Sequence, residues 1–105
     1  MRILAVAVDD IILEILRSLT WLGADHDLVC VTSAAAALAE IDASPVLFDA
    51  FLLDVVMPER DGVSLCADIR ALPPYAMTPI IMITATQELG AMQRAFDAGA
   101  TDFVR

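Results

Sequence analysis

Phe51-Leu52-Leu53-Asp54-Val55-Val56-Met57-Pro58-Glu59-Arg60-Asp61-Gly62 changes character abruptly at its fourth residue. Phe48 to Leu53 is a short apolar run that halts at an acid, and charged and turn-forming residues follow from Met57 to Gly62. A run of that length with such an end reads as a strand buried on both faces. Beyond Gly62 the spacing turns helical, with Val63, Cys66, Ala67 and Ile69-Arg70 expected on the inner face.

Outward from this stretch the same alternation repeats. Toward the N-terminus, Ser33 can cap a helix through Ile41, which Ser44-Pro45 closes. Leu28 to Val31 is a strand, and Ile12, Ile15, Leu16, Leu19 and Leu22 mark a helix that Gly23 can end. Ile3 to Val8 is the first strand and runs into Asp9 and Asp10. Toward the C-terminus, Pro73, Pro74 and Pro79 bound a loop, and Ile80 to Ile83 is a strand ending at Thr84. Leu89, Met92, Ala95 and Phe96 mark a helix stopped by Gly99, and Asp102-Phe103-Val104 begins a fifth strand. Near-continuous apolar strands alternating with helices imply an α/β fold: a parallel sheet with helices on both faces.

Composition narrows the function. A chain of 105 residues is one domain, and at 59% hydrophobic it is too apolar for disorder despite a net charge of −9. Its six bases are all Arg, with no basic run among 15 acids, so nucleic acid and anionic membranes are poor direct partners. No stretch approaches the roughly 18 apolar residues of a membrane span. The short apolar start lacks the form of a secretory signal, so a cytoplasmic location is expected. Cys30 and Cys66 match no metal spacing and read as core thiols. His26, the single histidine, lies in a polar turn and reads as solvated, while Met57, Met77, Met82 and Met92 read as fillers of core and loop gaps.

In an open parallel sheet the functional crevice lies at the carboxyl ends of the strands. Those ends offer Asp9 and Asp10, Asp54, and Thr84. A single Asp there is more often a cap or turn residue, but three carboxylates brought together repel one another and call for a hard divalent cation. Mg²⁺ fits, because it takes few protein ligands and keeps waters that a phosphate oxygen can replace. A carboxylate beside it can attack phosphorus and form an acyl phosphate, with Thr84 bonding a phosphoryl oxygen.

The chain resembles the receiver domain of bacterial two-component response regulators along its whole length, most specifically over Phe51 to Gly62. The resemblance implies a flavodoxin-like, doubly wound five-stranded parallel sheet in the order 2-1-3-4-5. It implies that Asp54 accepts phosphate from a sensor histidine kinase or phosphotransfer protein, and that the Val56 carbonyl is a Mg²⁺ ligand beside the acidic pair. Pro58, Asp61 and Gly62 match the residues that shape the following loop. Thr84-Ala85 is similar to the switch hydroxyl and its small neighbour, and Gly99-Ala100-Thr101-Asp102-Phe103 places Phe103 at the switch aromatic. A downstream effector protein or a fused output domain would read the face around the fourth helix and fifth strand. Such a domain is a phosphoacceptor rather than an enzyme; an Asp-nucleophile phosphatase of the haloacid dehalogenase type would need an Asp where Val56 stands.

Two departures from that pattern bear on function. If Asp9 and Asp10 are the metal pair, the first helix begins about two residues early; if the helix register is kept, Ala7 and Val8 take those positions and Asp9 becomes a cap. The second alternative makes the chain a receiver-like interaction module without phosphate turnover. The family's phosphate-contacting Lys would fall just after Arg105, and the strand alternation turns Arg105 to the opposite face. The expectation is a receiver spanning residues 1–105 and cut short before its last helix, whose absence exposes apolar surface and favours pairing, a homodimer included.

Overall fold

The structure, a computed structural model, describes residues 1–8, 14, 27–57, 59–83 and 90–104. Five strands form one parallel sheet: β1 (Arg2–Val6), β2 (Asp27–Val31), β3 (Ala50–Asp54), β4 (Ile80–Ile83) and β5 (Asp102–Val104). Their order is β2-β1-β3-β4-β5, the doubly wound order expected. The helices bounded by described residues are α1 (Ala34–Ala43), α2 (Gly62–Arg70) and α3 (Ala91–Asp97). Of the helix expected over Ile12 to Leu22, Glu14 alone is described, helical and exposed.

Register builds the core in rows. Leu4 pairs with Phe51 and Phe51 with Ile80; Val6 pairs with Leu53 and Leu53 with Met82. All six side chains are fully buried, and they cluster with Ala34 and Ala37 of α1, Leu65, Cys66 and Ile69 of α2, and Ala95 of α3. Each such burial contributes about 1.5–3 kcal/mol. Tyr75 stands edge-on to Phe51, ring centroids 5.0 Å apart, and closes the core at the end where the strands begin.

Local signals start and stop these elements. Ser33 caps α1, its hydroxyl accepting from the Ala36 N–H at 3.0 Å. Asp61 caps α2 in the same way, accepting from the Ser64 N–H at 2.9 Å. Gly99 ends α3 with φ 104°, a left-handed conformation that suits glycine.

The structure corrects several boundaries and faces. β1 stops at Val6, after which the Ala7 N–H adds one bond to Val31 O at 3.1 Å. β3 begins at Ala50, because the Phe48 N–H bonds the Tyr75 hydroxyl at 3.3 Å instead of a strand neighbour. The inner face of α2 is Gly62, Leu65, Cys66 and Ile69, with Val63 half-buried and Ala67 exposed. Gly62 sets that rotation, since a Cβ there would lie 1.9 Å from the Asp54 carbonyl oxygen, so the bare side of the helix must face β3. On α3 the small Ala91 and Ala95 face inward while Met92 and Phe96 are exposed. Met77 is also exposed, so it fills no gap, whereas Met57 and Met82 are buried.

Candidate functional site

Asp54 closes β3, the central strand, at the edge where the strands end. It is 7% exposed, and among the described residues it is the one buried charged side chain. Its Oδ1 accepts from the Val56 N–H at 3.2 Å, a local turn that holds the carboxylate at the strand end. A carboxylate kept this far from water needs partners, and the backbone supplies at least one.

The loop after Asp54 is fixed against it. The Gly62 N–H bonds Val55 O at 2.9 Å, and the bare Cα of Gly62 lies against the Asp54 backbone. Asp61 caps α2 through one carboxylate oxygen and places the other 3.6 Å from the Arg94 guanidinium of α3. Arg60 runs along α2, bonding the Ser64 hydroxyl at 2.9 Å and the Asp68 carboxylate. Glu59 adopts φ 67°, so the chain accepts a left-handed non-glycine residue to make this turn.

The sequence-predicted residues divide into two groups. The Val56 N–H and Gly62 lie against Asp54, and Asp61 caps the helix that follows. Phe103 of β5 pairs with Met82 and packs half-buried against the core, one strand beyond β4. Asp9, Asp10, Thr84, Ala85, Pro58 and Arg105 lie outside the described residues. Extending the β1–β3 register by one residue brings Ala7 level with Asp54, where Ala7 is 3% exposed and offers no side-chain oxygen. Val8 follows it, exposed. Among the described residues no group of three or more His, Cys, Asp or Glu could hold a metal. The Asp54 carboxylate and the Val56 carbonyl are hard oxygen donors two residues apart, of the kind Mg²⁺ takes.

Sequence reasoning missed Arg70. Its guanidinium donates to Gly99 O at 2.8 Å, Tyr75 O at 2.8 Å and Thr78 O, and reaches the Thr101 hydroxyl at 3.3 Å. One side chain thus joins the end of α2 to the loop before β4 and the corner before β5. A basic residue in the last turn of a helix was the available signal, but it says nothing of distant carbonyls. Nearby, burial pushes the Cys66 thiol up from its ordinary value, against a smaller opposing pull from Arg70.

The model of the response regulator receiver domain matches residues 3–105. The chain belongs to that family. This receiver is 32% identical over 105 residues to Protein RcaC of Microchaete diplosiphon, covering 99% of this chain and 15% of RcaC. A putative response regulator from Chloroflexus aurantiacus superposes with a TM-score of 0.84 at 34% identity, covering 99% of this chain and 84% of that one. The Mn²⁺-bound response regulator Rcp1 shares the fold, with a TM-score of 0.87 at 18% identity over 98% of this chain and 78% of that one. The receiver spans less than half the length of relatives that include histidine protein kinases and transcriptional regulators. Receiver domains are signalling domains of two-component systems rather than classical enzymes, and in general they bind Mg²⁺. Among the described residues no helix is long and apolar enough to cross a membrane.

Proposed function

We propose that Asp54 is the phosphoacceptor of this receiver. An Asp54 carboxylate oxygen attacks the phosphorus of a phosphohistidine on a sensor histidine kinase or phosphotransfer protein. The P–N bond breaks, and the imidazole nitrogen leaves with the electron pair. The observation that carries this reading is a single carboxylate buried at the carboxyl end of the central strand, backed against Gly62. The Asp54 carboxylate, the Val56 carbonyl and Asp9 and Asp10 would hold Mg²⁺, which supplies charge neutralisation for the transfer. Thr84 bonds a phosphoryl oxygen, and Phe103 turns inward to change the face that a downstream effector or a fused output domain reads. The reaction belongs in the cytoplasm, with the kinase domain that feeds it.

Incubating the protein with Mg²⁺ and acetyl phosphate, followed by intact-mass measurement, tests this. A phosphoryl increment in the wild type and none in Asp54→Asn is expected; the same mass in both rejects the assignment.

Ala7, buried one residue past the Val6–Leu53 pair, favours a second reading, a receiver-like interaction module that no longer turns over phosphate. It expects no Mg²⁺-dependent change in Trp21 fluorescence. Mg²⁺ binding by calorimetry that disappears in Asp9→Asn or Asp10→Asn rejects it.

A further inference from the structure

At the end of the sheet opposite Asp54, α1, the loop before β3 and the turn at Pro73–Tyr75 enclose an open cleft of about 320 Å³. Its walls are Leu38 and Ile41 of α1, Leu47, Leu72 and Tyr75, with Asp42 at the rim. Two features set it apart from an ordinary surface dimple. Its base is fixed, because the Tyr75 hydroxyl accepts the Phe48 N–H and the Tyr75 ring packs edge-on to Phe51. Its lip is apolar and open to water at Leu47, 56% exposed, whose chain neighbour Val46 is 60% exposed. Neighbouring large apolar side chains left in water beside an apolar hollow mark an interaction site more often than scattered ones do.

Charge selects the occupant. Asp42 stands at the rim, exposed, while Asp49, two residues after Leu47, turns its carboxylate to the Arg2 N–H at 2.7 Å. Arg2, the nearby base, is engaged by Asp27 at 2.6 Å, by the Ser44 hydroxyl and by the Phe48 ring. A second copy of this chain would bring another net charge of −9 to an already acidic rim. We infer that the cleft docks a segment of a partner protein bearing apolar anchors flanked by Lys or Arg, whatever the state of Asp54. The independence follows from position: the strand β3 separates the cleft from Asp54 by about 13 Å at the usual rise per residue.

An amide chemical-shift titration of the whole chain with the acetylated, amidated peptide KLLKLLK, and with its Glu-for-Lys counterpart, tests this. Saturable shifts at Leu38, Leu47 and Leu72 are expected, with the basic peptide binding about tenfold tighter than the acidic one. Because Leu47 and Asp42 are exposed, Leu47→Ser and Asp42→Lys leave folding intact, and each should weaken the basic peptide about fivefold. Asp54→Asn should leave its affinity unchanged. Equal affinity for both peptides, shifts centred on α3 and β5, or loss of binding in Asp54→Asn each overturns the inference. So do concentration-dependent shifts of the same amides without peptide, which would mark a second copy as the occupant.

Discussion

The two ends of the sheet are built by different means. At the Asp54 end the backbone does the fitting: Gly62 touches the Asp54 carbonyl, the Val56 N–H holds the carboxylate, and Glu59 takes a left-handed turn. At the opposite end side chains do it, through Phe48, Phe51 and Tyr75 packed tilted or edge to face beneath an apolar lip. Backbone contacts leave little slack and set positions to fractions of an ångström, which suits a reacting carboxylate. Side-chain packing tolerates repacking and offers area, which suits docking. Damage at the first end should therefore reach chemistry, and damage at the second should reach stability or docking and spare the chemistry.

Phe51→Ala is the largest break. It removes a fully buried ring that meets both Phe48 and Tyr75, and it should cost about 4 kcal/mol in urea unfolding. Protein that remains folded should still take phosphate from acetyl phosphate; loss of labelling in the folded fraction would erase the contrast. Gly62→Ala comes next, with a cost of about 3 kcal/mol because the new methyl meets backbone rather than a pliable side chain. Here labelling should fall even where folding persists, as read by intact mass after refolding. Asp61→Ala removes the α2 cap and should cost about 1 kcal/mol, seen as a lower urea midpoint. Glu59→Gly has the smallest effect and the opposite sign, a gain of about 0.5 kcal/mol from relief of its left-handed backbone. A loss instead would mean that the Glu59 side chain supports the turn.

The strands were legible because each is a short apolar run with a clear stop. Ile80 to Ile83 matches β4 residue for residue, and Asp102 to Val104 matches β5. Ser33 was readable as a cap because its role depends on three neighbouring residues alone. The rotation of α2 was not, since it is fixed by a contact between Gly62 and a strand carbonyl that periodicity does not register. The same holds for α3, where Met92 and Phe96 look like core residues by hydropathy, yet the inward face is alanine. Asp54 was identifiable from its place at a strand end followed by a turn-rich loop, and its burial accords with that place. The neighbour of Asp54 on β1 was not legible, because register is a long-range property that no local pattern encodes; the paired residues of β1 and β3 run to Val6 and Leu53.

Arg70 has a mechanical consequence for β5. By holding Gly99 O and reaching the Thr101 hydroxyl, it clamps the strand at its root, while the Thr101 hydroxyl also accepts the Ile80 N–H at 3.0 Å. Past the clamp runs β5, with Phe103 in its middle. A strand fixed at its root and laddered to β4 along its length resists sliding and bending. Motion at Phe103 is thereby channelled into rotation of the ring about its own bonds, with the strand as a fixed axle.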